Sequence, residues 1–131
     1  MKRLEAARAM ARKASQDERV VERLLSDADI ADEVLGFHCQ QAVEKLLKAL
    51  LLAHGLEFPR THNLDLLADL LADAGHPLPG PLSDLEGLIP FAAQYRYEEE
   101  PDLPLDRPAA RALVRDLREH VEGILVSLAT D

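Results

Sequence analysis

Arg115 and His120 stand five positions apart, with Asp116 directly after the arginine. An arginine and a histidine that meet on one phosphodiester can cleave RNA without a metal. The imidazole moves protons and the guanidinium stabilises the charge of the phosphorane. Five helical steps of about 100° place the two side chains about 140° apart around a helix. They converge within one chain only if the helix breaks between them. Asp116 and His120 are the i,i+4 neighbours instead, a pairing suited to a helix surface.

A second set lies in "FHCQQAVEKLLKALL", residues 37–51. Gln41, Glu44, Lys45 and Lys48 fall opposite an apolar stripe of Leu35, Cys39, Ala42, Val43, Leu46, Leu50 and Ala53. Glu44 precedes Lys48 by four, a favourable helix pair. Periodicity alone assigns this strip to solvent. Leu47, Leu51 and Leu52 widen the apolar surface past one stripe, so more neighbours, or a partner chain, are expected to cover it. A homodimer or higher homo-oligomer is the simplest expectation.

Arg96 is the third candidate. It lies between Tyr95 and Tyr97, the chain's two tyrosines, in a segment (81–106) with seven acids and no other basic residue. Two readings stand: a structural pair with Glu98, Glu99 or Glu100, or an anion or nucleotide contact edged by tyrosine. Cys39 sits in the apolar register and reads as core. The five histidines lack zinc spacing, and neither a glycine-rich phosphate loop nor a Gly-x-Ser-x-Gly elbow occurs. No metal and no cofactor are therefore expected.

The elements that must position these residues are helical, with no strand alternation and no repeat. The apolar spacing predicts helices from about Leu4 to Leu25 and from about Ile30 to Ala53, the second stopped at Gly55. A third is capped by Thr61 or Asn63 and ends before Gly75. Ser83 with Glu86 forms a capping box for a fourth, kinked at Pro90. The kink is expected to carry Arg96 over Gln41, Lys45 and Lys48. Asp106 caps a long fifth. The fold expected is all-α: a single domain over residues 1–131, a five-helix, mainly antiparallel up-and-down bundle.

Apolar residues make up 47% of 131, enough for a core, and aromatic residues only 4%, so Leu, Ala and Val build it. The net charge of −9 argues against broad nucleic-acid affinity. Eleven of the fifteen basic residues nevertheless lie in residues 1–24 and 107–131. If those helices pack together, a local basic surface is expected. One cysteine, no apparent signal peptide and no apolar run near ~18 residues point to a cytoplasmic chain without a membrane span.

The stretch "FHCQQAVEKLLKALLLAHGLEFPRTHNLDLLADLL", followed by "YRYEEE" and a long last helix, resembles a prokaryotic HEPN-domain protein. The resemblance runs from about Leu4 to Leu128. Gln40, Gln41, Glu44, Lys45 and Lys48 match the family's signature helix, Thr61, His62 and Asn63 the next step, and Arg96 and Tyr97 the pair after it. It implies an all-helical bundle, usually dimeric, similar to the substrate-binding domains of kanamycin-type nucleotidyltransferases. Many such proteins are encoded beside a minimal nucleotidyltransferase and assemble with it. Others are metal-independent RNases with an Arg-x4–6-His motif.

No histidine lies four to six positions after Arg96. The reading is thus a protein non-catalytic alone, binding nucleotide or presenting substrate to a nucleotidyltransferase partner. Gln41, Lys45, Lys48, Arg96 and Tyr97 would form the surface for that ligand or partner. The rivals are an RNase toxin of a toxin–antitoxin pair, with Arg115 and His120 as catalytic candidates and RNA as substrate, and a pure assembly module.

Overall fold

A computed structural model describes residues 2–92 and 104–130. Among these residues are four α-helices: α1 (Lys2–Leu24), α2 (Asp32–Ala53), α3 (Leu64–Asp73) and α4 (Arg107–Ala129). Two short 3₁₀ segments, Gly80–Leu82 and Glu86–Phe91, lie between α3 and α4. The described residues are helical or irregular, in agreement with the all-α expectation.

α2 is the central element, packed by α1, α3, α4 and the second 3₁₀ segment. This explains its broad apolar surface. Leu47 and Leu51 are fully buried within the chain itself, and Leu52 packs against the same core. The surplus that suggested a partner chain is covered by α2's own neighbours.

Helix directions follow from named contacts. Glu22 pairs with Arg111 and Glu18 with Arg118, so α1 and α4 are antiparallel. Asp17 meets His38 and Lys45, while the Arg3 guanidinium approaches Gly55, so α1 and α2 are antiparallel too. α3 runs in the same sense as α2: His62 meets Glu44 at its start and His76 stacks on His54 at its end.

The helix ends are specified locally. Asn63 caps α3 by accepting from Leu66 N–H, and Asp106 caps α4 by accepting from Ala109 N–H. Gly55 and Gly75 take φ of 71° and 87°, where a side chain would be strained. Leu56 N–H then reaches Leu51 C=O, and His76 N–H reaches Leu71 C=O, closing two Schellman caps.

The expected capping box at Ser83 does not form. Ser83 Oγ donates back to Gly80 C=O, and the apolar run Glu86–Phe91 is a 3₁₀ segment with Pro90 inside it. Proline has no N–H to donate and its ring crowds the preceding turn, which opposes a longer α-helix here. Phe91 is buried against Gly36 of α2 so tightly that a Cβ there would lie 2.3 Å from the ring.

Arg107 ties the N-terminus of α4 to the α1–α2 connection. It donates to the carbonyls of Leu24, Leu25, Asp27 and Ile30 and to Asp32 Oδ1. The guanidinium and a backbone bond from Leu105 hold the Asp32 carboxyl below its ordinary pKa.

Candidate functional site

The polar strip of α2 is not the solvated face that periodicity assigns. Gln40 is 0% exposed and Glu44 4%. α1 covers one side of the strip and the loop before α3 covers the other. The strip resolves into two units of the same design, each a carboxylate held between a lysine and a histidine.

In the first unit, Asp17 of α1 accepts from Lys45 Nζ at 2.6 Å and contacts His38 Nδ1 at 3.0 Å. In the second, Glu44 accepts from Lys48 Nζ at 3.0 Å and contacts His62 Nδ1 at 2.8 Å. The buried Gln40 amide donates to Glu44 Oε1 and to the His62 carbonyl, and Gln41 donates to Gln40 Oε1. Every buried side-chain N or O atom among the described residues has a partner.

This geometry has two chemical consequences. A carboxylate can only accept, so each imidazole donates through Nδ1 and keeps Nε2 free. The His62 side chain is 51% exposed and that of His38 28%, so both rings remain open to a ligand. The second is that Lys45 and Lys48 already neutralise buried carboxylates, so neither is a free cation. Each ammonium still has further donors. Lys48 also lies 5.9 Å from the Phe58 ring centroid, a cation–π contact.

His38, Gln41, Lys45 and Lys48 follow one another at steps of three, four and three, so they form a continuous, partly exposed ridge about 15 Å long. Thr61, His62 and Asn63 divide the labour of the neighbouring turn. Thr61 Oγ1 accepts from Asn63 N–H, Asn63 caps α3, and His62 turns towards Glu44.

Residues 7–126 match the family model described as the HEPN domain. The chain belongs to the HEPN domain family. No curated protein and no solved structure matches it. In this HEPN domain α2 is the buried centre of the bundle, and its Gln40, Gln41, Glu44 and Lys48 form one bonded network.

The remaining candidates separate. Arg96 and Tyr97 lie outside the described residues. Arg115 bonds Asp116 at 3.0 Å and lies in the field of Glu22 on α1. His120 lines a depression with Leu50, His54 and His76, on the α2–α3 side. Arg115 and His120 thus face different neighbours, as their helical divergence requires, and Asp116 takes Arg115 rather than His120. Cys39 is buried in the core, and burial pushes its thiol up to about 12. No group of three or more ligating side chains among the described residues can hold a metal.

A cavity of about 450 Å³ lies elsewhere, between the 3₁₀ segments and α4, with Leu82, Leu88, Leu105 and Leu113 in its lining. No described helix is long and apolar enough to cross a membrane.

Sequence periodicity missed Asp17 and the role of His38. One signal was present: Asp17 falls in the apolar register between Ala14 and Val21, and an acid there needs a buried partner.

Proposed function

We propose that this HEPN domain binds a nucleotide, or presents a bound substrate, through the α2 ridge, working with a separately encoded minimal nucleotidyltransferase. The observation that carries the reading is the paired design of the ridge. Two buried carboxylates fix two lysines and two histidines, so their outward donors and acceptors are ordered before a ligand arrives. Pre-ordered polar groups lose little freedom on binding. Lys45 and Lys48 would donate to phosphate or ribose oxygens, Gln41 would offer its carbonyl oxygen, and His62 Nε2 would accept from a base or sugar hydroxyl. Nothing in this scheme requires a metal or cofactor of the domain's own.

Calorimetric titration with nucleoside mono- and triphosphates tests the reading. Binding is expected, weakened at least tenfold, or about 1.4 kcal/mol, by Gln41→Ala, with unchanged helicity. Absence of binding at millimolar nucleotide, alone and with a co-expressed nucleotidyltransferase from the same genome, would refute it.

One observation favours a second reading. A carboxylate-oriented imidazole is also the arrangement of a general acid–base group, so His38 and His62 are better placed for RNA cleavage than Arg115 and His120. RNA degradation in the presence of a chelator, lost in His62→Ala and retained in His120→Ala, would establish that reading over the first.

A further inference from the structure

α1 and α4 pack together, as the expectation of a local basic surface required, but the charges do not simply add. Arg111 and Arg118 of α4 are bonded to Glu22 and Glu18, and Arg115 to Asp116. The basic residues of α1 are different. Arg8, Arg12, Arg19 and Arg23 are all exposed, and none has an ion pair among the described residues.

Their spacing aligns them. At about 100° per residue, positions 8, 12, 19 and 23 fall within an arc of about 60° on the outer face of α1. They span fifteen helical steps, or about 22 Å. Glu18 and Glu22 flank this stripe but are held by α4, and Glu5 stands at its N-terminal end. The contrast with the rest of the chain is large. Residues 1–24 hold seven basic against four acidic residues, and the other 107 hold eight against twenty. Among the described residues, nothing in the fold pairs with this line of guanidinium groups on an acidic protein.

We propose that this arginine stripe is a track for a single nucleic-acid strand, contacted through its phosphodiester backbone. Arginine matches phosphate geometry with two parallel donors. A protein partner fits the stripe less well. Protein interfaces need an apolar or aromatic anchor, and the exposed large apolar residues among the described ones, Leu66 and Val126, lie on other helices. The stripe is one side chain wide, which suits one strand rather than two. It carries no aromatic ring for stacking and no group that reads bases, so it positions a strand without choosing its sequence. The acidic remainder confines binding to α1. The track is independent of the α2 ridge.

The test is fluorescence anisotropy of the whole protein with labelled oligouridylate and oligothymidylate of about 16 nucleotides, at about 50 mM salt. Both strands should bind within about twofold of each other. The logarithm of affinity should fall with the logarithm of salt at a slope of about −3, as four phosphate contacts at roughly 0.7 each require. The double variant Arg12→Glu/Arg19→Glu should weaken binding more than about tenfold, and Arg12→Lys/Arg19→Lys should keep most of it. If the charge reversal lowers helicity, Arg12→Gln/Arg19→Gln replaces it, with a slope reduced to about half.

Three results would overturn the proposal: no binding at low salt, equal binding by the reversed variant, or a preference for RNA above about tenfold. A fourth would reassign the stripe. α3 exposes Asp65, Asp69 and Asp73 at four-residue steps. Salt-sensitive self-association abolished by Arg12→Glu/Arg19→Glu, without strand binding, would make those aspartates of a second copy the occupant.

Discussion

His62 Nδ1 lies 2.8 Å from Glu44 Oε1, joining the turn before α3 to the middle of α2. Glu44 also serves Lys48 and Gln40. One side chain therefore holds together the groups that the proposed site displays. Its removal should be felt in both stability and binding.

Glu44→Ala removes the buried acceptor of the Lys48 ammonium and one of the two acceptors of the Gln40 amide. We expect a loss of about 2–4 kcal/mol in denaturant unfolding. Glu44→Gln, which keeps one acceptor oxygen, should lose less. A loss below about 1 kcal/mol for the alanine variant would mean that the network is bypassed by water.

Arg107 satisfies four carbonyls of the α1–α2 connection as well as Asp32. Arg107→Ala should cost about 2–3 kcal/mol, given that part of this cluster is open to solvent. Arg107→Lys should recover less than half, because an ammonium cannot reproduce the planar fork. Thermal melts of the three proteins check the order.

Gly36→Ala would normally help a helix by about 1 kcal/mol. Here the new methyl meets the Phe91 ring at 2.3 Å, so a net loss of about 1–3 kcal/mol is expected. Adding Phe91→Leu should return part of it, and a double-mutant cycle measures that coupling. Additive effects would show that Phe91 does not seat on Gly36.

His54 and His76 stack with centroids 3.7 Å apart and planes 8° from parallel. Burial first, and then His76, hold the His54 pKa below its ordinary value. The native state therefore binds protons less readily than the unfolded chain. This contribution to stability is full above the unfolded value of about 6.5 and is lost as pH falls towards the lower folded value. Melting at pH 7.5 and 5.5 should show a smaller acid loss in His54→Gln than in the parent protein.

The bundle was legible because its determinants are local. Asn63, Asp106, Gly55 and Gly75 mark helix ends by their own chemistry, and the α2 and α4 stripes repeat at helical spacing. The fourth element was misread because Ser83 and Glu86 satisfy a capping pattern that Gly80 outcompetes for the serine hydroxyl. The burial of the polar strip was misread for another reason. Gln41, Glu44, Lys45 and Lys48 look solvated on a helical wheel, and only the tertiary approach of Asp17 and His62 buries Glu44 and partly covers the lysines. The family resemblance singled out Gln40, Gln41, Glu44, Lys45 and Lys48, and the hydrogen bonds show how the fold holds each of them.

If α2 displays a pre-ordered ligand surface, a nucleotide titration of the uniformly labelled protein, followed by amide and imidazole NMR resonances, will map it. The largest shifts should fall on Gln41, Lys45, Lys48 and the His62 ring, with α4 unaffected. Shifts that map to His120 and the rest of α4, or no shifts at millimolar nucleotide, would rule out a nucleotide surface on α2.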